Sequence, residues 1–487
     1  MTVSTSSFIT TAIPFVNARP HLGFAYELVL ADILARHHRL RGRDVWFTTG
    51  TDDHSLKNAV AAAREGVPTR ELVDRNAAAF RALAPLLGCT PDDFIQTSRD
   101  PRHRPAVERL WRACAADLYK TAWQGRYCAG CEAFVDDYVT VCEEHGTEPE
   151  PVHEDNWFFR LSRYREAIRA AIESGRLRIV PDAARAETLA FLAGDVRDLS
   201  VSRIAERSGG WGLPVPDDPS QIIYVWFDAL VSYLSVLDGQ DDRWHAGERT
   251  HVIGKGITRF HTVYWPAFLL SAGLALPDRI AVHGYLTIDG EKISKSGRTV
   301  EVGPFGEACG VDPLRWYFAR NCRTRVDSDV RIPAVLAAHD RDLADRLGNL
   351  VHRCATLAHQ VGDGHVPFAA EDDPLSAVIA ALPARIDAAL DAFLVDEAAA
   401  AIVDVLDAAN RALDASAPWR LAKTDRAAAL CALASPIAAA RAAAVELSPF
   451  VPGVSRTILE RLGDPGGVIL RGPPPLPRLV SDTRGAK

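Results

Sequence analysis

The chain lacks the bulk features that carry a protein into a membrane or along a nucleic acid. No run of about 18 apolar residues stands out in its 487 residues, and the start, MTVSTSSFITTAIPF, has no basic region before its short apolar stretch. A spanning helix and a secretory leader are excluded from the expectation, which is a cytoplasmic protein with no membrane partner. A positive excess is lacking too. With 55 Lys and Arg against 63 Asp and Glu, the formal charge is −8 and the pI about 6.0, so no global footprint for DNA exists. Any RNA contact must come from a local basic surface or from base stacking. Six of the nine cysteines, Cys89, Cys114, Cys309, Cys322, Cys354 and Cys431, have no useful spacing and read as thiols of a reducing compartment.

What is present is an ordinary globular composition, 48% hydrophobic and 24% charged, long enough for about three domains. Phe8 to Phe15 alternates β-branched and apolar residues, and Phe24 to Leu40 carries apolar residues at helical spacing. This is the first strand, turn and helix of an α/β unit, with His21 and Gly23 at the helix N-terminus. Unpaired backbone N–H groups and the positive end of the helix dipole suit such a place to phosphate. A bare HLG is read equally as a helix cap followed by a packing glycine. A second phosphate-handling candidate lies far downstream, where the strand-like Ala281–Ile288 leads into Asp289-Gly290-Glu291-Lys292-Ile293-Ser294-Lys295-Ser296. Lys292 and Lys295 on a Gly-hinged loop are placed to neutralise a leaving pyrophosphate, although a lysine loop on the surface is the plainer reading.

The three remaining cysteines cluster. CAGC, a ten-residue gap and CEEH supply Cys128, Cys131, Cys142 and His145 at the ligand spacing of tetrahedral Zn²⁺, and four closed protein ligands imply a structural ion. Asp52 follows the strand-like Asp44–Thr49, beyond whose end a ligand of an open α/β sheet would sit, so it suits a substrate amine or, equally, a helix cap. After about residue 326 an Ala-rich helical region points to a bundle. Asn349 and Arg353 share one helix face there; with Trp419 they suit unstacked bases, while a buried Trp and a solvated Arg form the bland alternative. The tail from Gly472, GPPPLPRLVSDTRGAK, reads as disordered.

TTAIPFVNARPHLGF, TTGTDDHS, IIYVWFDALVSY, HVIGKGITRFHTVYWPAFL and VHGYLTIDGEKISKS resemble, in order and spacing, the class I methionyl-tRNA synthetases, with HLGF and KISKS in place of that class's two signatures. The resemblance runs from about Phe8 to about Lys423. It implies a Rossmann-type doubly wound parallel sheet with a zinc-bearing insertion, followed by an all-α bundle. The divisions expected are 1–113 and 206–325 for the catalytic halves, 114–205 for the insertion, 326–465 for the anticodon-binding bundle and 466–487 for the tail. It implies methionine held by Ala12, Ile13, Phe15, Asp52, Trp226, Ala229, Leu230, Tyr233, Ile257 and His261. ATP with Mg²⁺ would be held by His21, Gly23, Gly254, Lys292, Ser294 and Lys295, with His21, Lys292 and Lys295 catalytic. The anticodon of tRNA(Met) would meet Asn349, Arg353 and Trp419, and a monomer is expected. Tyr233 and the backbone N–H of Ile13 would supply hydrogen-bond donors near the thioether sulfur.

Three positions depart from the family pattern. Phe24 stands where a second signature histidine is usual, Gly256 where an aspartate bonds the ribose, and Phe15 where a tyrosine is common. Besides a working methionine–tRNA ligase, the sequence therefore leaves open a paralogue that handles a related amino acid in a biosynthetic or resistance role, and a weakly catalytic tRNA-binding protein.

Overall fold

The computed structural model describes residues 6–128, 133–135, 139–142, 146–237, 241–293, 301–370 and 372–480. They divide into two compact units: one comprises residues 1–20, 43–85 and 89–282, the other 21–42, 86–88 and 283–487.

The first unit is built on a six-stranded sheet. In chain order its strands are β1 (Ser6–Thr11), β2 (Asp44–Thr51), β3 (Asp93–Gln96), β4 (Arg178–Val180), β5 (Glu248–Gly254) and β6 (Arg279–His283), and their spatial order is β3-β2-β1-β5-β6-β4. Pairing is parallel for β1 with β2, β1 with β5, β2 with β3 and β6 with β4. The near-continuous apolar runs follow from burial on both faces, as in Phe8 and Ile9 of β1 and Val252 and Ile253 of β5. Aromatic side chains fill much of the core: Trp111, Phe159, Phe227, Trp265 and Phe268 belong to one buried cluster. Gly50 near the end of β2 is required by close approach, since a Cβ there would lie 2.3 Å from the carbonyl oxygen of Ile95. A separate antiparallel sheet, Ala133–Val135, Leu118–Cys128, Glu150–Phe159 and Leu199–Ser200 in spatial order, interrupts the parallel pattern; its first three strands in the chain fall between β3 and β4 and the last between β4 and β5.

The second unit is helical apart from a small sheet. It contains α1 (Leu22–Leu40), and further helices follow, of which α4 (Val311–Asn321), α5 (Asn349–Gly362), α6 (Pro374–Asp391), α7 (Val395–Ser416), α8 (Arg426–Leu447) and α9 (Pro452–Leu462) are used below; α2 (His103–Ala113) and α3 (Val225–Leu230) belong to the first unit. Helix α8 packs on α5, α6, α7 and α9. It is also long and apolar enough, by length and composition alone, to cross a membrane, which the sequence reading did not foresee; more than half of that stretch is buried within the protein. Alanine accounts for both facts, being apolar on a hydropathy scale and small enough for close helix packing.

Arg315 on α4 is a fully buried hub. Its guanidinium donates to Asp32 of α1 at 2.7 Å and to the carbonyls of Leu87, Pro449 and Phe450 at 3.2, 2.9 and 2.8 Å, while Arg36 meets the same Asp32 oxygen at 2.8 Å. Asp312, one turn earlier, accepts from the backbone N–H of Val454 at 2.6 Å and so caps the start of α9. The tail expected to be disordered is held down as far as Val480. Leu476 is buried, and the N–H groups of Leu479 and Val480 donate to the carboxylate of Asp340 at 2.7 and 3.0 Å. Arg315→Met would leave three carbonyls and part of a buried carboxylate without donors. A loss of roughly 3–5 kcal/mol is expected in urea unfolding followed by the helical signal, and an unchanged midpoint would show that the hub carries little stability.

Candidate functional site

The order of the sheet reverses at β1, which pairs with β2 on one side and with β5, more than 200 residues later, on the other. Ligands of such sheets bind beyond the carboxyl ends of the strands at that reversal. The chain delivers there Ala12–Phe15 from β1, Asp52 from the end of β2 and Gly254–Ile257 from β5. The ends are tied to one another. The N–H of Asp52 donates to the carbonyl of Pro14 at 2.9 Å, that of Ala12 to Val252 at 3.2 Å, and Phe15 and Asp52 form a parallel bridge.

Trp226 comes to this edge on a helix rather than on the strand its sequence suggested. The strand ends at Ile223, and α3 begins at Val225. The indole stacks on Phe260 with ring centroids 3.7 Å apart and planes within 8°, and meets Phe15 edge-on at 6.1 Å and His261 at 6.2 Å. Phe260 was missed by the sequence reading, although it stands one residue before His261. Ala229, Leu230, Tyr233 and His261 are buried, whereas Ala12, Ile13, Phe15, Trp226, Gly254 and Ile257 are half-buried. The structure thus brings the expected amino-acid residues to one apolar locus within the first unit.

Two imidazoles lie at this locus, and burial disfavours the charged form of both. His261 Nδ1 lies 3.0 Å from the carbonyl of Ile257, which can only accept, so Nδ1 carries the proton and Nε2 accepts from the Tyr233 hydroxyl at 2.8 Å. Burial takes the His261 pKa down to about 4. His251 accepts on Nε2 from the indole N–H of Trp265 at 3.3 Å and places Nδ1 2.7 Å from Thr10 Oγ1; burial, with His261 and Arg249 nearby, holds it well below the usual range. The Tyr233 proton therefore points at His261. What Tyr233 offers a thioether from this arrangement is ring surface and oxygen, a change from the hydroxyl donor expected.

Beside the pocket, the carboxylate of Asp228 on α3 lies between two histidines, 2.7 Å from His54 Nδ1 and 2.6 Å from His103 Nε2. Burial would raise its pKa, but the two imidazoles outweigh burial and lower it. Burial likewise favours neutral His54, and Asp228 with Asp53 outweighs that and raises it. The sequence held a signal for this cluster: an acid inside the apolar run IIYVWFDAL must be partnered if buried.

In the second unit, His21 is the N-cap of α1. Its Nδ1 accepts from the N–H of Gly23 at 3.1 Å, so the capping alternative is realised and in the neutral ring Nε2 carries the proton. A Cβ on residue 23 would lie 2.9 Å from His21 Cε1, which explains the glycine. The ring of Phe24 lies 4.5 Å from that of His21. Asp289 and Gly290, with φ of 55° and 81°, form a tight hairpin turn between Leu286–Ile288 and Glu291–Lys292, and Asp329 holds the Gly290 N–H at 3.1 Å. The expected hinge is thus an anchored turn. Lys292 ends the second strand, while Ser294 and Lys295 lie outside the described residues.

Farther along the same unit, Asn349 and Trp419 are exposed and Arg353 half-buried. The Arg353 guanidinium sits 5.1 Å over the Trp419 ring and donates to Asp414 at 2.7 Å. Of the expected zinc ligands, Cys128 and Cys142 are described and buried; Cys131 and His145 lie outside the described residues.

Comparison with known proteins places these features in a family. The model described as "tRNA synthetases class I (M)" matches residues 7–144 and 138–355, and "Anticodon binding domain of methionyl tRNA ligase" matches residues 364–466. A methionine–tRNA ligase of Mesorhizobium japonicum is 38% identical over 476 residues, covering 94% of this chain and 91% of its own, and one of Mycobacterium tuberculosis is 38% identical over 479 residues and 92% of its own length. A Mycobacterium tuberculosis methionyl-tRNA synthetase solved in complex with methionyl-adenylate superposes with a TM-score of 0.91 at 36% identity, covering 97% of this chain and all of its own; the apo form of that enzyme gives 0.85 at 33%, covering 98% of each chain.

The pocket imidazoles set a pH dependence. An unfolded histidine titrates near about 6.5 and His261 near about 4, so between these limits the unfolded state binds more protons and stability rises with pH. His251 acts in the same sense and His54 in the opposite one. His261→Gln is expected to remove one such step, roughly 3 kcal/mol across that window, from the pH dependence of urea unfolding. An unaltered slope would contradict a buried neutral His261.

Proposed function

The chain belongs to the class I methionyl-tRNA synthetase family, and from that premise we propose that it activates methionine with ATP and transfers it to the 3′ end of tRNA(Met). The observation that carries this reading is the cluster at the strand ends, where the buried carboxylate of Asp52 adjoins apolar and aromatic side chains among which burial disfavours a charged histidine. A thioether side chain suits such a slot because it is polarizable and needs no charge partner. A lysine or glutamate side chain would enter it without one.

In this mechanism Asp52 takes the substrate ammonium, and Ala12, Ile13, Phe15, Trp226, Ala229, Leu230, Tyr233, Ile257 and His261 enclose the side chain. An oxygen of the methionine carboxylate attacks the α-phosphorus of ATP; the new O–P bond forms as the bond to the β-phosphate oxygen breaks and pyrophosphate leaves. His21, Gly23, Gly254, Lys292, Ser294 and Lys295 hold the nucleotide, and Mg²⁺ bound with ATP neutralises its phosphates. The lysines oppose charge on the departing group, where stabilisation counts most in the transition state. A ribose hydroxyl of the tRNA end then attacks the carbonyl carbon and AMP departs, which leaves the aminoacyl ester.

The exposed Trp419, with the half-buried Arg353 over its ring, would give an anticodon base a surface to stack on, and Asn349 lies on the helix of Arg353. Methionine-dependent exchange of pyrophosphate into ATP is expected of the purified chain; exchange with no amino acid, or with another one only, would overturn the assignment. Trp419→Ala is expected to lower kcat/KM for tRNA charging about 5- to 150-fold, from a stacking contribution of about 1–3 kcal/mol, with exchange unaltered. Equal charging by the variant would remove the platform from the account.

Cys128, Cys131, Cys142 and His145 would hold a structural Zn²⁺ in the insertion formed by residues 114–205. The donor set of three thiolates and one imidazole suits a closed tetrahedral ion; the Gly146 N–H donates to the Cys142 carbonyl at 2.8 Å and the Cys142 N–H to the Thr147 carbonyl at 2.8 Å. One equivalent of zinc is expected by elemental analysis, and much less in the Cys128→Ser, Cys131→Ser double variant. Full retention there would rule the site out.

A further inference from the structure

Asp228, His54 and His103 form a cluster to which the reaction above gives no part. Their potential ligand atoms all lie within 4.8 Å of one another, which invites a metal. The spacings argue otherwise. Each imidazole meets a different oxygen of Asp228, at 2.6 and 2.7 Å, the lengths of charge-assisted hydrogen bonds, whereas two ligands about 2.1 Å from one tetrahedral ion would stand roughly 3.4 Å apart. The cluster is a hydrogen-bonded relay between elements distant in sequence. His103 opens α2, and its Nδ1 lies 3.0 Å from Ser235 Oγ. His54 lies in the turn after β2, and its backbone N–H donates to the carboxylate of Asp52 at 3.2 Å. The same turn is held by Asn58, which donates to the carbonyls of Asp52 and Asp53 at 3.1 and 2.8 Å, and by the Trp211 indole, which donates to Asp53 at 2.7 Å.

We propose that Asp228 is a positioning residue for recognition of the substrate ammonium: through the His54 imidazole it fixes the main chain that orients the Asp52 carboxylate. Its own helix carries Trp226 and Ala229, so one side chain keeps the ammonium site in register with the side-chain pocket. The inference rests on the reading of Asp52 as the ammonium partner. It assigns Asp228 an effect on one end of the amino acid only, because the pocket wall on α3 is packed independently by Phe260 and Phe15. A residue needed merely for folding would affect both ends alike.

The test compares two ligands by competition in pyrophosphate exchange and by calorimetry: methionine, and 4-(methylthio)butanoate, which keeps thioether and carboxylate but lacks the ammonium. Asp228→Asn is expected to weaken methionine at least tenfold while the desamino acid stays within twofold. In an Asp52→Asn background, Asp228→Asn is expected to add less than twofold. His54→Asn, which retains an N–H donor near the Nδ1 position, should stay within about threefold of the parent, and His54→Leu should match Asp228→Asn; this pair carries the test if Asp228→Asn does not fold. Equal weakening of both ligands, additive losses with Asp52→Asn, or no rescue by His54→Asn would overturn the assignment. A parent that takes up neither ligand would overturn the functional reading itself, which separates the two failures.

Discussion

The parallel pairing of β1 with both β2 and β5 is the constraint on which the site depends. Because these three strands run the same way, their carboxyl ends open on one edge, and each supplies what the others lack. β2 ends in the acid Asp52, β1 continues into the apolar Ala12–Phe15, and β5 passes through Gly254 into the turn before His261. Strands joined by short hairpins would have put alternate ends on opposite edges. The crossover that separates β1 from β5 spans more than 200 residues, which leaves room for the antiparallel sheet and the cysteine-bearing segment without disturbing the register.

Charge is distributed with the same economy. At the aromatic cluster beyond the strand ends, burial disfavours charge on His251 and His261, and carbonyl, indole and hydroxyl groups are their hydrogen-bond partners. Two fully buried charges are each met by more than one partner. Asp228 has two imidazoles; Arg315 has one carboxylate and three carbonyls. Such groups fix geometry rather than add much net stability, because their desolvation offsets most of the attraction. Arg353, which stays partly exposed over Trp419, is paired with Asp414 at the surface.

Much of this was legible in the sequence. Alternation in Phe8–Phe15 and helical spacing after Phe24 placed the first strand, turn and helix, and the motifs whose order and spacing identify the family named the apolar residues that gather beyond the strand ends. The remainder was hidden for physical reasons. Trp226 sits on α3 because the apolar run IIYVWF contains no signal for where strand yields to helix. Asp289-Gly290 is a hairpin turn, a reading that needed the partner strand to be known. The Pro-rich tail is anchored because its N–H groups find Asp340, about 140 residues away. Asp228 and His103 are 125 residues apart, and no local period reports such a pairing; the lone acid in an apolar run indicated that a partner existed, not which one. At His21 the cap uses Nδ1, which accepts from the Gly23 N–H. Phe24 beside it, and Gly256 at the turn after β5, are two positions where the sequence departs from the family pattern.

The central claim is that this chain places methionine, and no other amino acid, on tRNA. The direct measurement is to offer it ATP, all twenty amino acids and total tRNA, then release the charged 3′-terminal nucleosides by ribonuclease and weigh them by mass spectrometry. Methionyl-adenosine alone is the expected product. A different aminoacyl-adenosine, a mixture, or uncharged adenosine after prolonged incubation would contradict the account.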